Sequence, residues 1–512
     1  MKPRRKGQGI DLEKIKKMKA NGTKGLHLDE ALIFERSCEG RVGVAPSRFD
    51  VPACDAEKSI PRKYLRDDMG GFPEVAEIDV VRHYTRLSQW NFGVDSGLYP
   101  LGSCTMKYNP KINEEIAALP GFSRLHPYQG EELSQGALEL MFQLEEYLCE
   151  ITGMDAVTLQ PSAGAQGELC GLLMMAAFFK DRGKPRTKII IPDTAHGTNP
   201  ASSHLAGFKV VPVKSEGRGA LTANAVKDVM DADTAGVMLT NPNTLGLFEA
   251  DIKEIADVVH KKGGFLYCDG ANMNALMGIV RLGDLGVDVV QLNLHKTFST
   301  PHGGGGPGSG PVAVRKTLEP YLPVPRVRKR GKKYSFDFKR PRSIGRLKAF
   351  YGNFAIMVRA YSYIRRMGPE GLKRAAEAAI LNANYIKERL KGTFDLPFDR
   401  PCMHECVFSD KVQQPNGVST MDIAKRLIDY GYHPPTVYFP LVVPGAIMIE
   451  PTETETLETL DRFIEAMKNI ADEARNAPEL LKNAPANTRV GRVDETKAAR
   501  EPVLRWKAKP PL

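Results

Sequence analysis

The sequence predicts an α/β fold, in which a large domain with a mainly parallel sheet precedes a smaller C-terminal α+β domain. Three observations predict it. The chain has 512 residues, more than one hydrophobic core normally supports, so at least two domains are expected. Short apolar runs alternate with helical stretches from about 126 to 320. Most runs are apolar throughout, as strands covered on both faces are.

Seven apolar runs are the predicted strands, and a helix-like segment at 250–262 lies among them. The runs are 156–160, 188–192, 208–213, 236–241, 265–269, 287–294 and 311–315. The rest of the chain is divided into domains and connecting segments around these strands. We expect an irregular, Pro- and Gly-rich arm at 1–125, the large domain at 126–325, a basic connecting segment at 326–345, a small domain at 346–485 that is largely helical up to about 392, and a polar tail at 486–512.

The composition limits the classes of protein. Hydrophobic residues make up 42% and charged residues 26% of the chain, which is typical of a soluble globular protein. No apolar run reaches eighteen residues, so no membrane span is expected. The basic N-terminus has no apolar segment after it and acidic residues follow early, which favours a cytoplasmic location.

The cysteines favour a structural role. Eight in so long a chain are too few for a disulfide framework. Cys402, His404 and Cys406 alternate as residues on one face of a strand do. Because no second pair with zinc-like spacing occurs, we expect no metal site there but cysteines in a half-buried strand.

The formal net charge is +10, and a large share is local. Eleven basic residues and one acid lie between Arg326 and Lys348. A solvated loop is the simplest interpretation, and a docking surface for an acidic partner is the next. Nucleic acid is a weaker third, because the run lacks the stacking aromatics and fold signatures of such binders.

Ligands of open α/β sheets bind at the carboxyl ends of the strands, so the residues there are the candidates for chemistry. The first strand leads into Ser162, Gly164, Ala165 and Gln166 and then into an apolar helix. Small residues at a helix start expose N–H groups, which suits a phosphate. An ordinary Ser N-cap is the alternative interpretation.

Four further strands end in polar residues. His196 follows the second, where its ring could stack on a flat cofactor or be structural; Asn241 follows the fourth and is compatible with a simple Asn-Pro turn. Asp269 and Asn272 follow the fifth, and a buried Asp needs a partner such as a protonated pyridine nitrogen. His295 and Lys296 follow the sixth, and a desolvated lysine suits Schiff-base formation. Five such signals in succession predict a pyridoxal-phosphate (PLP) enzyme with its cofactor on Lys296.

A glycine pattern offers a different cofactor. Gly303, Gly305 and Gly308 satisfy the spacing of a dinucleotide fingerprint. That fingerprint opens a helix, whereas Pro307, Pro311 and another strand follow here. Lining the mouth of the active site, or simple chain flexibility, is the better interpretation of these glycines.

Long motifs carry a resemblance to a known family. They include Tyr99–Asn109, His126–Gln129, Gln160–Glu168, Ala195–Ala201, Thr240–Gly246, Asp269–Asn272, Asn293–Phe298, Met448–Glu455 and Val503–Trp506. The chain resembles fold-type I PLP enzymes, the aspartate aminotransferase-like transferases. It resembles most closely the PLP-bearing half of glycine decarboxylase, the P-protein of the glycine cleavage system, and so looks like subunit 2 of the split form.

The resemblance implies a reaction and roles. Glycine would be decarboxylated and its aminomethyl group passed to the lipoyl arm of H-protein, an acidic carrier, in an α2β2 assembly with a separate subunit 1. Lys296 would form the internal aldimine, Asp269 hold the pyridinium proton, His196 stack on the ring and Asn241 bond its hydroxyl. Ser162, Gly164, Ala165 and Gln166 would surround the phosphate, with His295 nearby and Asn272 as a second-line contact.

Two points stay open at this stage. The glycine carboxylate could be bound by Arg346, His302 or His433, and the family's His-x-Pro-Thr segment is altered at 432–440. The alternatives in function are another fold-type I enzyme, such as a carrier-independent amino-acid decarboxylase or a desulfurase, and a non-catalytic assembly subunit. Retention of Lys296, Asp269 and His196 together counts against the last.

Overall fold

The structure is a computed structural model that describes residues 30–507 except Pro46, Phe49, Glu216 and 304–307. It divides into two compact units. One is Gly93–Asp494, and the other combines Met1–Phe92 with Glu495–Leu512. Among the described residues, no helix is both long and apolar enough to cross a membrane.

The large unit is built on a seven-stranded sheet. Its strands are β1 (Ala156–Thr158), β2 (Lys188–Pro192), β3 (Lys209–Val213), β4 (Thr234–Thr240), β5 (Phe265–Gly270), β6 (Val289–Leu292) and β7 (Val312–Val314). They lie in the order β1-β7-β6-β5-β4-β2-β3. Strand β7 pairs antiparallel with both of its neighbours, β1 and β6, and the other strand pairs of this sheet are parallel. Each predicted run overlaps one of these strands, so the predicted mainly parallel α/β fold is confirmed.

Both faces of the sheet are covered by apolar clusters. Leu266 of β5 packs into one cluster and Tyr267, the next residue, into the other. Successive side chains of a strand point to opposite faces, and both faces are buried here, which explains why the strands are apolar throughout. Because β4, β5 and β6 pair in parallel, their carboxyl ends lie at one edge of the sheet.

Helices cover the sheet and form most of the remaining structure. The α-helices are α1 (Ala56–Ser59), α2 (Glu77–Ser88), α3 (Lys111–Ala117), α4 (Pro120–Ser123), α5 (Gln135–Thr152), α6 (Gly164–Asp181), α7 (Thr198–Leu205), α8 (Ala223–Val229), α9 (Ile252–Lys261), α10 (Leu294–Thr297), α11 (Phe354–Leu390), α12 (Thr420–Asp429), α13 (Leu457–Asn476), α14 (Glu479–Lys482) and α15 (Glu495–Arg500). Short 3₁₀ helices lie at Ile33–Arg36, Arg62–Tyr64, Met273–Ala275, Leu282–Leu285, Glu319–Tyr321 and Gln414–Asn416. Helix α11 is interrupted at Gly368, where φ is 62° and Pro369 follows.

The basic segment is a β-hairpin rather than a solvated loop. Strands β8 (Arg326–Arg330) and β9 (Lys333–Asp337) pair antiparallel. The side-chain amide of Gln135 in α5 donates a hydrogen bond to the carbonyl of Tyr334 and accepts one from its N–H. These two bonds hold the hairpin against the helix. Arg326 is buried because Glu145 accepts its hydrogen bond at 2.9 Å. Part of the basic charge is therefore neutralised inside the protein.

The boundary of the N-terminal arm also differs from the prediction. The large unit begins at Gly93, so 93–125 belongs to it rather than to an arm of 125 residues. Long-range contacts explain the difference: Leu98 is buried in the core of the C-terminal part, and Lys107 is buried with Glu453 at 2.7 Å. Residues 1–29 of the predicted arm lie outside the described residues.

The C-terminal part contains a small antiparallel sheet, β10 (Cys406–Ser409), β11 (Thr436–Val437) and β12 (Ala446–Ile449), in the order β10-β12-β11. Helices α11, α12 and α13 contribute to its apolar core. Cys402 and His404 precede β10 instead of lying in it, and both are buried together with Cys406. The expected half-buried strand is therefore wrong in its extent and its exposure.

The second unit is held by a buried carboxylate. Glu30 accepts hydrogen bonds from Arg86 at 3.1 Å and lies 2.8 Å from Nδ1 of His83, on helix α2. Phe34 and Trp506 stack with ring centroids 5.2 Å apart, which joins the two ends of the chain within this unit.

Candidate active site

A cavity of about 240 Å³ lies at the carboxyl ends of β4, β5 and β6, where α6 begins. Six of the ten predicted site residues line it: Gly164, Ala165, His196, Asp269, His295 and Lys296. The other lining residues are Ser103, Glu168, Thr198, Thr240, Thr244, Ala271, Gln291 and Asn293. These six residues, each predicted from the end of a strand or from the residues beside it, therefore meet in one cavity at the edge of the sheet.

Lys296 reaches the cavity from the one-turn helix α10, which begins two residues after β6 ends. Its amine donates a hydrogen bond of 2.8 Å to the carbonyl oxygen of Ser103. The side chain is therefore directed by helix α10, which carries it, and by the loop whose Ser103 carbonyl accepts its hydrogen bond.

Asp269 is the second-last residue of β5 and is 2% exposed. Asn199 donates to Oδ2 at 3.0 Å, and the N–H of Ala271 donates to Oδ1 at 2.9 Å. The amide of Gln291 also donates to Oδ1. These donors fix the orientation of the carboxylate in the cavity wall, where it can receive a proton-bearing nitrogen of a ligand.

His196 follows β2, and the backbone N–H of Thr198 donates to its Nδ1 at 3.2 Å. Nδ1 is then the acceptor, so a neutral ring carries its proton on Nε2. Desolvation by the cavity wall and the nearby Lys296 lower the pKa of His196, although Asp269 opposes them. The ring is consequently neutral near pH 7 and presents a flat face.

The start of α6 forms the opposite end of the cavity. The N-cap residue Ala163 gives no side-chain cap, so the N–H groups of the first turn are available to an anion. A Cβ at Gly164 would lie 2.4 Å from Nδ2 of Asn293, which explains the glycine. His295 lies beside Asn293, at 3.3 Å between Nε2 and Nδ2. Burial, His302 and Lys296 lower the pKa of His295 to about 4.

Four predicted residues do not line the cavity. Gln166 accepts hydrogen bonds from the N–H and the hydroxyl of Ser162, at 2.8 and 3.0 Å. Asn241 accepts one from the N–H of Glu249 at 3.0 Å, and Asn272 donates to the carbonyl of Pro242 at 2.9 Å. Their side chains are used to shape the loops behind the wall, and their contacts with a cofactor stay predictions.

Residues that sequence reasoning missed connect the predicted ones. Glu168 accepts hydrogen bonds from the hydroxyls of Thr198 at 2.8 Å and Ser202 at 3.1 Å. Burial, followed by the charge of Asp269, raises the pKa of Glu168 to about 7. Two signals in the sequence could have identified these residues. Glu168 is an acid in the first turns of a largely apolar helix, and Gln291 is a glutamine in the apolar strand β6.

The three candidates for binding a substrate carboxylate lie in different places. His302 is close to His295, with ring centroids 5.1 Å apart, and its pKa is lowered to about 4 by burial and by Lys296. Arg346 is exposed with its guanidinium over Phe338. His433 stacks on Tyr99 at 3.9 Å between centroids. Only His302 has a described contact with a residue of the cavity wall.

The residues present fit a phosphate-bearing, flat, polar cofactor. Thr240 Oγ1 and Asn293 Oδ1 are buried cavity-lining atoms without a hydrogen-bond partner among the described residues. Such atoms are costly unless a ligand satisfies them. They lie in the same cavity as Lys296, Asp269 and the start of α6. Of the glycine pattern, Gly305 lies outside the described residues, whereas Gly308 packs against His295.

A second cavity is larger, about 330 Å³, but its chemistry is weaker. It lies between α5 and the hairpin and is lined by acids such as Glu146 and Glu150. Its buried acid, Glu145, is already paired with Arg326. Because no activated nucleophile or anion cradle lines it, we assign the active site to the cavity that contains Lys296.

Comparison with families and curated relatives finds the same similarity along the chain. Residues 375–488 match the family described as glycine dehydrogenase, C-terminal domain, and 167–323 match aminotransferase class-V. The chain is 60% identical over 477 residues to "Probable glycine dehydrogenase (decarboxylating) subunit 2" of Caldanaerobacter subterraneus subsp. tengcongensis, covering 93% of this chain and 98% of that protein. The protein of the same name from Bacillus licheniformis is 60% identical, covering 93% and 99%.

Solved structures share the fold. A glycine decarboxylase (P-protein) of the glycine cleavage system, in inhibitor-bound form, superposes with a TM-score of 0.68 at 20% identity, covering 81% of this chain and 94% of that one. An apo cysteine desulfurase from Thermococcus onnurineus NA1 gives 0.58 at 16% identity, covering 74% and 95%. At these identities the likeness shows the fold alone.

Proposed function

The chain belongs to the family of glycine dehydrogenase (decarboxylating) subunit 2, and on that premise we propose how its cavity works. The protein decarboxylates glycine with pyridoxal 5'-phosphate as cofactor, and the remaining aminomethyl group passes to the lipoyl arm of H-protein. The observation that carries the proposal is the meeting of Lys296, Asp269 and the start of α6 in one cavity.

Four parts of the wall would hold the cofactor. Lys296 would hold it covalently through Nζ, and the first turn of α6 would bind its phosphate. Asp269 would face its ring nitrogen, and the neutral ring of His196 would lie against its face. When bound, PLP supplies a conjugated ring that takes up the electron pair left behind as the carboxylate carbon departs as CO₂.

The chain's own residues organise that chemistry. Asp269 keeps a proton at the atom facing it, and its orientation is set by Asn199 and Gln291. His196 is neutral because of its lowered pKa and therefore adds no positive charge beside Lys296. The loop carbonyl of Ser103 binds the Lys296 amine when that amine is free. Burial of Asp269, which the solvent barely reaches, keeps water away from the proton that it holds.

Glycine–bicarbonate carboxyl exchange tests the proposal. The full chain is assayed with PLP, lipoylated H-protein and the candidate subunit 1, beside Lys296→Ala. Lys262→Ala, which removes an exposed lysine at the end of α9 that does not line the cavity, is the matched control. We expect exchange that requires every component, vanishes in Lys296→Ala and persists in the control. Exchange by Lys296→Ala, or cofactor binding by the wild type without any exchange, would contradict it.

The partners are a separate subunit 1 and H-protein. The family name itself implies a complementary subunit, and the α2β2 stoichiometry and the cytoplasmic location stay predictions. The mass of the complex in solution, measured on the co-purified subunits, tests the stoichiometry. A mass other than that of two copies of each subunit would reject it.

H-protein is proposed to dock on the tip of the hairpin. Arg326 and Arg340 are used internally, by Glu145 and Glu319. The bases at the tip, by contrast, are exposed: Lys329, Arg330, Lys332 and Lys333. An acidic carrier is attracted to such a cluster, and the attraction weakens with salt.

Charge reversal tests the docking site. Lys332→Glu with Lys333→Glu is expected to raise the KM for H-protein several-fold at low salt and to leave kcat nearly unchanged. The control is Lys261→Glu with Lys262→Glu at the end of α9, where two lysines are also exposed. An unchanged KM in the hairpin variant, or an equal rise in the control, would reject the site.

A further inference from the structure

A buried cluster of two acids and a histidine lies next to the loop 103–105, whose Ser103 carbonyl contacts Lys296. His404, Glu405 and Glu450 are each fully buried, and their ligand atoms lie within 4.8 Å of one another. His404 Nε2 is 3.8 Å from Glu405 and 3.9 Å from Glu450. None of these residues lines the cavity, and the proposed reaction assigns them no role.

The two carboxylates bind three successive N–H groups of one loop. Glu405 accepts from Ser103 at 2.6 Å. Glu450 accepts from Cys104 at 3.1 Å and from Thr105 at 2.8 Å, and the Thr105 hydroxyl donates to it at 2.6 Å. Hydrogen bonds to carboxylates are stronger than those between neutral groups, so the loop is fixed by the C-terminal part of the chain.

The loop needs such a constraint. Ser103 has a φ of 61° and Thr105 a φ of 50°. Non-glycine residues rarely adopt positive φ, and a β-branched residue is least suited to it. This backbone persists only where the surroundings impose it. In this conformation the carbonyl of Ser103 accepts the Lys296 amine at 2.8 Å.

We propose that Glu405 and Glu450 are positioning residues, which fix the 103–105 backbone so that the Ser103 carbonyl holds the Lys296 amine whenever that amine is not bonded to cofactor. The inference rests on the proposed function only in assigning the cofactor to Lys296. Holding the displaced amine in place would keep it near the reacting atoms for its return and would prevent it from blocking glycine.

A divalent metal is the competing explanation of the cluster, because its three residue types are metal ligands. The hydrogen bonds favour the loop instead, since both Glu450 oxygens and one of Glu405 already accept from it. Burial raises the pKa of Glu450 to about 7. Burial and the charge of Glu450 hold the pKa of Glu405 well above its usual range. The charge of Lys296 opposes both shifts. The pair can therefore exist partly protonated beside Cys104 and His404 without a metal.

Two measurements on the full chain without cofactor test the proposal. The first is hydrogen–deuterium exchange of peptides that cover 102–107. In Glu450→Ala, exchange in these peptides is expected to be about tenfold faster or more, because the backbone N–H groups of Cys104 and Thr105 lose their acceptor. The second is the labelling rate of Lys296 by an amine-reactive reagent at fixed pH, expected to rise about fivefold on loss of the Ser103 contact.

Further variants separate positioning from stability. Glu450→Gln retains an acceptor oxygen and should keep most of the protection, and Thr105→Val should lose part of it even if Glu450→Ala does not fold. Glu145→Gln disturbs another buried acid, paired with Arg326, and should change neither measurement at 102–107 or Lys296. Cofactor-loaded protein, in which Lys296 is bonded, should show the same loss of loop protection in the variants.

The outcomes are distinct. Wild-type exchange and labelling in both Glu450→Ala and Thr105→Val would overturn the proposal. A stoichiometric divalent metal in the purified wild type that is absent from Glu450→Ala would overturn it in favour of a metal site. Neither readout uses glycine turnover, so failure of the proposed reaction and failure of the positioning role are told apart.

Discussion

On one side of Lys296 the cavity wall consists of strand ends, and on the other side it is the irregular loop 103–105. The strand-end wall places Asp269 and His196 within a few residues of a strand that the sheet fixes. The loop is held by Glu405 and Glu450, more than 300 residues away in the chain. The first wall is set by regular structure and the second by a few long-range hydrogen bonds.

The difference decides how each wall should respond to mutation. A strand end keeps its backbone when a side chain changes, because sheet hydrogen bonds on both sides hold it. Changes there should affect chemistry more than structure. The loop has no such ladder, so changes there should loosen the backbone first and lower activity through it. Four substitutions test that contrast.

Asp269→Asn should have the largest effect, since it removes the charge that the strand-end wall presents to the cofactor ring. We expect glycine–bicarbonate exchange to fall about 10²–10³-fold, which is typical for removal of a preorganised electrostatic group. Thermal unfolding should change little, because the amide can still accept from Asn199. A loss of exchange activity of only a few-fold would contradict the role of Asp269 in the chemistry. A large fall in Tm would show that the substitution acts through the structure instead.

Gly164→Ala should act at the phosphate end. Its Cβ would lie 2.4 Å from Asn293, so the side chain or the helix start must shift, at a cost of about 1–3 kcal/mol. PLP affinity should fall about tenfold or more, as measured by equilibrium binding. Gly136→Ala in α5, where a Cβ meets nothing within 4 Å, is the control and should bind PLP normally. Equal affinity in both variants would reject a phosphate site at α6.

Glu168→Gln should mainly change the pH dependence of stability. The pKa of Glu168 is raised to about 7 by burial and by Asp269, against about 4.3 in an unfolded chain. Between these values the folded state binds the extra proton, so this group's contribution to stability is lost as pH rises toward 7. Relative to the wild type, the variant should therefore gain Tm between pH 5 and pH 8. Parallel Tm curves would contradict the assignment.

Thr436→Val should have the smallest effect and tests the loop side. It removes a 2.8 Å hydrogen bond to the carbonyl of Gly102, a second anchor of the loop. We expect a loss of about 1 kcal/mol in unfolding free energy and less than about threefold in exchange activity. Ser362→Ala, which removes a hydroxyl bonded within α11, is the control for stability alone. A fall in activity as large as that of Asp269→Asn would contradict the expected difference between the strand ends and the loop.

The same contrast explains what the sequence could predict. All seven strands were identified because burial on both faces leaves continuous apolar runs, and Asp269, His196 and Lys296 followed from the strand ends. Glu405 and Glu450 could not be found this way. Their partners are backbone N–H groups, which every residue but proline carries, so no local pattern distinguishes the loop that they hold.

Charge patterns were informative only in part. A dense run of bases indicated a solvated loop, but the hairpin buries Arg326 by pairing it with Glu145, and that acid lies 181 residues earlier. The arm was placed too far along the chain for a similar reason. Residues 93–125 are irregular in sequence but are held by core contacts of Leu98 and by the buried Lys107.

The most direct test of the central claim is the position of the cofactor. The full chain, loaded with PLP, is reduced with borohydride, digested and analysed by mass spectrometry. We expect one cofactor mass per chain, on the peptide that contains Lys296. Cofactor on a different lysine, or none on any, would contradict the assignment of this cavity as the active site.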